Sequence, residues 1–106
     1  MQHEVDTPEG KAAICALAIE RRLVLTARYN GVDVELHPHQ LVERNGTTYL
    51  RAVNPAKSRR VDEDPALGFF HLGGIGDLAL KPAVFEPLPA EATAPARDDD
   101  TVLATL

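Results

Sequence analysis

Two Asn-Gly pairs, Asn30-Gly31 and Asn45-Gly46, constrain this chain more than any other feature, because each stands between segments whose apolar residues alternate. A two-residue connection of this kind sets both residues at positive φ and joins neighbouring antiparallel strands. Before the first pair, Leu23, Leu25, Ala27 and Tyr29 alternate with Val24, Thr26 and Arg28, and residues 32–36 read as the returning strand. His37-Pro38-His39 predicts an interruption there, since proline gives no donor to a ladder and belongs at an edge or a corner. Residues 40–44 and 47–53 follow as two more strands about the second turn.

Ahead of these strands, Thr7-Pro8-Glu9 opens a helix: a hydroxyl to cap free amides, a ring that pre-sets the first turn, and a carboxylate at the positive end of the dipole. The helix is expected over residues 8–22. Its apolar residues do not form one stripe, because Ile14 and Leu17 lie on one side and Cys15, Ile19 and Leu23 lie nearer the other. A helix of that kind sits in a groove or touches two partners.

After the hairpins, residues 54–65 have the composition of an exposed loop, with Lys57-Ser58-Arg59-Arg60 followed closely by Asp62, Glu63 and Asp64. A fifth strand is expected over 67–72 and a closing segment over 75–80. An extended strap over 81–89 would lay Val84 and Phe85 on the sheet. The Ala, Pro and Asp-rich residues 90–106 read as a disordered tail with a fraying apolar end. The expected organisation is therefore a short tail (1–7), one domain (8–89) and a second tail (90–106). The fold class is mainly β with one N-terminal helix, in a small SH3-like (Sm-like) antiparallel barrel of about five strands, closed or nearly closed.

The chain has 106 residues, of which 44% are apolar, enough for one core. No run of eighteen apolar residues and no basic-then-apolar leader occurs, so the expectation is a cytoplasmic protein with no membrane role. The net charge of -5 is uneven: from Glu86 onward five acids face Arg97 alone, a balance of -4 that leaves the body at -1. A general positive field of the kind that binds nucleic acid without selectivity is absent, but a local basic face is compatible with this body. Cys15, the single cysteine, lies among Ala12, Ala13, Ile14 and Leu17 and reads as a buried thiol.

Enzymatic chemistry finds no purchase. The single serine is Ser58, in the loop, and no nucleophile stands at an informative distance from a base, so the expectation is a protein that is not an enzyme and carries no cofactor. Gly73-Gly74-Ile75-Gly76 lacks the Lys-Ser/Thr ending of a phosphate-binding loop and reads as a turn. His37 and His39 share one side of an extended segment and, with His3 or His71, offer nitrogen ligands, but no cysteine or carboxylate completes a zinc set at ligand spacing.

Five segments taken in order carry a further signal: Ala18-Ile19-Glu20-Arg21-Arg22, Arg28-Tyr29-Asn30-Gly31, Pro38-His39-Gln40-Leu41-Val42-Glu43-Arg44-Asn45-Gly46, Tyr49-Leu50-Arg51-Ala52 and Phe70-His71-Leu72. Together they resemble WYL domains over residues 13–87. Two departures accompany the likeness. The family's Trp-Tyr-Leu reads Thr48-Tyr49-Leu50, and its closing segment, usually arginine-bearing, reads His71-Leu72-Gly73-Gly74-Ile75.

The resemblance implies an SH3-like or Sm-like barrel acting as a sensor, most often fused to a DNA-binding domain in bacterial transcription regulators, with nucleic acid or other anionic ligands held by a tyrosine and basic side chains. A single helix before the strands leaves no room for a DNA-reading helix-turn-helix, so the expectation is a stand-alone or accessory sensor. Strand alternation places Tyr49 and Arg51 on one face, opposite Leu50, and sets His71 opposite Phe70 and Leu72. The expected ligand-binding set is Tyr49, Arg51, His39, His71, Arg28 and Arg44. It would give a ring to stack a base and cations to meet phosphates in a nucleotide, a single-stranded nucleic acid or another anionic effector. The competing expectation is a protein-interaction or self-association module, a homo-oligomer included, acting through the N-terminal helix without a small ligand.

Overall fold

The computed structural model describes residues 7–55, 67–89 and 100–106. Among these residues one α-helix, α1 (Pro8–Arg21), is followed by β1 (Leu23–Tyr29), β2 (Val32–Arg44), β3 (Thr47–Val53), β4 (Gly68–His71), a 3₁₀ turn (Leu72–Gly74), β5 (Ile75–Val84) and β6 (Thr101–Thr105). The hydroxyl of Thr7 accepts from the Gly10 N–H at 3.0 Å, so the expected cap forms. The helix ends where Arg22 takes a left-handed conformation (φ 56°) and donates its N–H to the carbonyls of Ala18 and Ile19.

Both Asn-Gly pairs make the expected turns. Asn30, Gly31, Asn45 and Gly46 all have φ between 52° and 79°, and the strands they join are antiparallel neighbours, with Tyr29 opposite Val32 and Arg44 opposite Thr47.

The interruption expected at His37-Pro38-His39 takes a different form. β2 runs through it as one 13-residue strand, with a register shift between Pro38 and Gln40. The shift marks a change of partner: before it β2 pairs with β1, ending at Leu25 opposite Leu36, and after it β2 pairs with β6, beginning at Gln40 opposite Thr105. β3 lies along the other edge from His37, opposite Val53, to Arg44, opposite Thr47. Proline fits at such a corner, where the strand bends and one ladder gives way to another.

The main hydrogen-bonded path is β4-β3-β2-β1-β5, with β6 added to β2. The expected class is met: a small, mainly antiparallel β fold behind one helix, whose fifth strand returns to the first. The expected barrel does not close, because no pairing joins β4 to β5 among the described residues. Cys15, Ala18 and Ile19 of α1 instead pack with Leu25, Leu36, Leu41, Leu50, Leu72, Ile75 and Leu78 in a single core. Burying these side chains stabilises the fold by about 1.5–3 kcal/mol for each large aliphatic one.

Two expectations about the C-terminal part also change. The closing strand runs on to Val84, through much of the expected strap, before Phe85 buries its ring and donates its N–H to the Arg22 carbonyl. The tail expected over 90–106 ends in an ordered strand, β6, whose Ala104 packs against the core. Residues 90–99 of that tail, and residues 56–65 of the expected charged loop, lie outside the described residues.

Candidate functional site

Alternation along β3 sends Leu50 and Ala52 into the core, where both are fully buried, and Tyr49 and Arg51 to the other face. β4 repeats the pattern, with Phe70 packed on the core and Phe69 and His71 exposed. Because Tyr49 stands opposite His71 and Arg51 opposite Phe69, the four side chains form a square on one surface. The Tyr49 ring meets His71 edge-on at 5.7 Å and Phe69 edge-on at 6.0 Å. From β2, the guanidinium of Arg44 reaches over the same rings, 4.8 Å from the centre of Phe69 and 5.9 Å from that of Tyr49. The Arg51 guanidinium stands 5.2 Å from Phe69.

Of the six residues expected to bind ligand, this surface brings together Tyr49, Arg51, His71 and Arg44. Arg28 belongs to the first hairpin, in the other half of the sheet, and pairs across it with Asp33 at 3.0 Å. His39 is 1% exposed and both its ring nitrogens are engaged, so it holds the fold together and offers no surface for a ligand. Phe69 was missed by the sequence reading, although period two from His71 puts it on the same face.

The cations of this surface have internal partners. Arg44 forms a two-pronged ion pair with Asp100, its Nε and Nη2 donating to the two carboxylate oxygens at 2.6 and 2.8 Å, and the Asp100 side chain is wholly enclosed. Arg51 is almost buried and donates from Nη1 to Oε1 of Gln40 at 2.7 Å, while Nε2 of Gln40 donates to the Thr105 hydroxyl at 3.3 Å. Burial pushes the Arg51 guanidinium below its ordinary value; the Asp100 charge pulls it back up and the Arg44 charge lowers it. β6 is thereby tied to the aromatic and cationic surface at both of its ends.

Beside His71 a cavity of ≈ 390 Å³ opens between the start of α1, the β2–β3 turn and the 3₁₀ turn. Lys11, Thr47, Thr48 and His71 line it together with Gly46, Leu72 and Gly73, and among the described residues no carboxylate does. The backbone below is held by the Tyr29 hydroxyl, which accepts from the His71 N–H at 3.4 Å. Lys11 carried no signal in the sequence, since only the fold brings the first helical turns beside β3.

Cys15 is enclosed in the core, and burial pushes its thiol up to about 12, which leaves it protonated and unreactive at neutral pH. Among the described residues no group of three His, Cys, Asp or Glu side chains is placed to hold a metal, and no helix is long and apolar enough to cross a membrane.

No protein-family model matches the chain, and no curated protein or solved structure matches it significantly.

Proposed function

We propose that this protein is a WYL-like regulatory sensor that binds an anionic effector, a nucleotide or a short single-stranded nucleic acid, on the surface formed by Tyr49, Phe69, His71 and Arg44. The observation that carries the reading is the convergence of two aromatic rings, an imidazole and a guanidinium on one face of β3 and β4. Stacking on an aromatic ring holds a base of any sequence, and nearby cations meet the phosphates. Action in transcription regulation as an accessory or stand-alone subunit rests on the WYL resemblance of residues 13–87.

Fluorescence anisotropy with labelled short single-stranded DNA and RNA tests this reading. Saturable binding that weakens with salt, and falls about tenfold or more in Tyr49→Ala, is expected from the loss of one stacking platform. No binding at high micromolar concentrations of folded protein overturns it.

The self-association reading has one observation in its favour. Val102 and Leu103 expose apolar side chains on β6, and an exposed apolar strand invites pairing with another. The helix no longer supports it, because Cys15, Ala18 and Ile19 face the core. A concentration-dependent dimer in light scattering, lost in Leu103→Lys, would favour this reading over the sensor.

A further inference from the structure

We infer that β6 is a tethered competitor: the Asp100 carboxylate occupies the place at Arg44 that the ligand's own oxyanion takes, and binding therefore displaces the C-terminal strand. The inference rests on the sensor reading and adds to it both a ligand class and a means of regulation. Three observations converge on it. The Asp100 carboxylate makes the bidentate contact that a guanidinium makes with a phosphate or a carboxylate, at 2.6 and 2.8 Å. The guanidinium it holds lies 4.8 Å over the Phe69 ring and 5.9 Å from Tyr49, so this oxyanion position adjoins the aromatic platform. Arg51, the second cation touching Phe69, also feels the Asp100 charge.

The ligand class follows from this geometry. It is an oxyanion attached to a planar ring, with the oxyanion at Arg44 and the ring against Tyr49 and Phe69. A carboxylate and a phosphate share the chemistry of the first contact, and only the ring distinguishes either of them from a free ion.

The attachment of β6 suits release. It is a five-residue strand fastened to one side of β2 from Gln40 to Glu43, with three exposed residues at its start, Thr101 to Leu103. Beside the ladder, Gln40 binds the Thr105 hydroxyl at 3.3 Å and the Leu106 N–H binds the His39 carbonyl at 3.1 Å. A short strand held at the margin of a sheet opens at lower free energy than the core strands. A ligand that removes Asp100 from Arg44 loosens the end from which the strand would peel. The tethered carboxylate then sets a threshold: ligand binds only when its affinity exceeds the local competition from Asp100.

The test uses fluorescein-labelled oligothymidylate as the ringed oxyanion and inorganic phosphate as the bare one. Affinities are measured for the unaltered protein, Asp100→Asn, Tyr49→Ala, and Glu86→Gln, which changes net charge equally on an exposed residue away from this surface. The expected result is binding of the oligonucleotide about tenfold tighter in Asp100→Asn than in either the unaltered protein or Glu86→Gln. Phosphate alone should compete only at far higher concentration.

Hydrogen exchange on the unaltered protein gives a second readout that needs no variant to fold. Bound oligonucleotide should speed exchange of the β6 amides while slowing that of β3 and β4. Binding that depends on Tyr49 but is unchanged by Asp100→Asn, with β6 as protected as before, overturns the tethered competitor and leaves the sensor reading standing. Failure of every form to bind overturns both.

Discussion

The Nε2 atom of His39 accepts a hydrogen bond from the Leu88 N–H at 3.0 Å, while its Nδ1 lies 2.8 Å from the His37 carbonyl. A backbone N–H can only donate and a carbonyl can only accept, so the pair fixes the neutral tautomer with its proton on Nδ1. The ring also packs against Phe85, 5.1 Å away, which itself stacks on His37 at 5.0 Å. One enclosed imidazole thus pins the segment after β5 onto the corner of β2. Protonating Nε2 would set a second donor against the Leu88 N–H.

His39 therefore makes stability depend on pH. Its pKa lies below the ordinary 6.5, because burial penalises the cation; the His37 carbonyl opposes this, and the charges of His37 and Arg51 add to it. A lowered value means that the unfolded chain binds more protons between the two pKa values. The contribution is complete above about 6.5, falls as pH drops through the window beneath it, and levels off below the folded value. Urea denaturation from pH 8 to pH 5 should show this decline. In His39→Phe the decline should be much reduced, and the protein less stable at pH 8 by about 2 kcal/mol, from an unpaired amide and carbonyl.

Cys15 should behave as an apolar side chain. With its thiol enclosed and pushed up to about 12, it should not react with Ellman's reagent at pH 8 in the folded protein, and one equivalent should appear in denaturant. Fast labelling without denaturant would show that α1 leaves the sheet readily.

The hairpin turns were legible because their cause is local: Asn and Gly tolerate positive φ, and alternation on either side needs no distant partner. The corner at Pro38 was half legible. The missing N–H marked a change in β2, but whether the strand stops or changes partners depends on β6, more than sixty residues further along. The acids and prolines before residue 100 concealed that partner, since pairing across the chain leaves no local period. The shared face of Tyr49, Arg51 and His71 followed from period two. The grip of Asp100 on Arg44 did not, being a contact across 56 positions. His39 was misplaced for a related reason: at the register shift Pro38, His39 and Gln40 are all buried in succession, and alternation fails there.

Gly46 offers a clean measure of the turn. Its φ is +79°, and an added Cβ would meet nothing within 4 Å, so Gly46→Ala changes backbone preference without a clash. The expected loss is about 1–2 kcal/mol in chemical denaturation. Gly46→Asn should cost less, because asparagine visits the left-handed region more easily. Equal losses for the two would mean that the turn's backbone preference is not what the substitution disturbs.

Arg28 separates the two halves of the sheet experimentally. Its ion pair with Asp33 is exposed on both sides, with 51% and 84% of the side chains open to solvent, and exposed pairs of this kind contribute about 0–1 kcal/mol. Arg28→Ala should accordingly shift the denaturation midpoint little. Because Arg28 stands on the β1–β2 hairpin and Tyr49 on the β3–β4 face, the same variant should bind labelled oligonucleotide within about twofold of the unaltered protein, apart from the loss of one positive charge. Tyr49→Ala should lose about tenfold or more. A loss in Arg28→Ala as large as that in Tyr49→Ala, persisting at moderate salt, would move the binding surface to the first hairpin and away from the rings of β3 and β4.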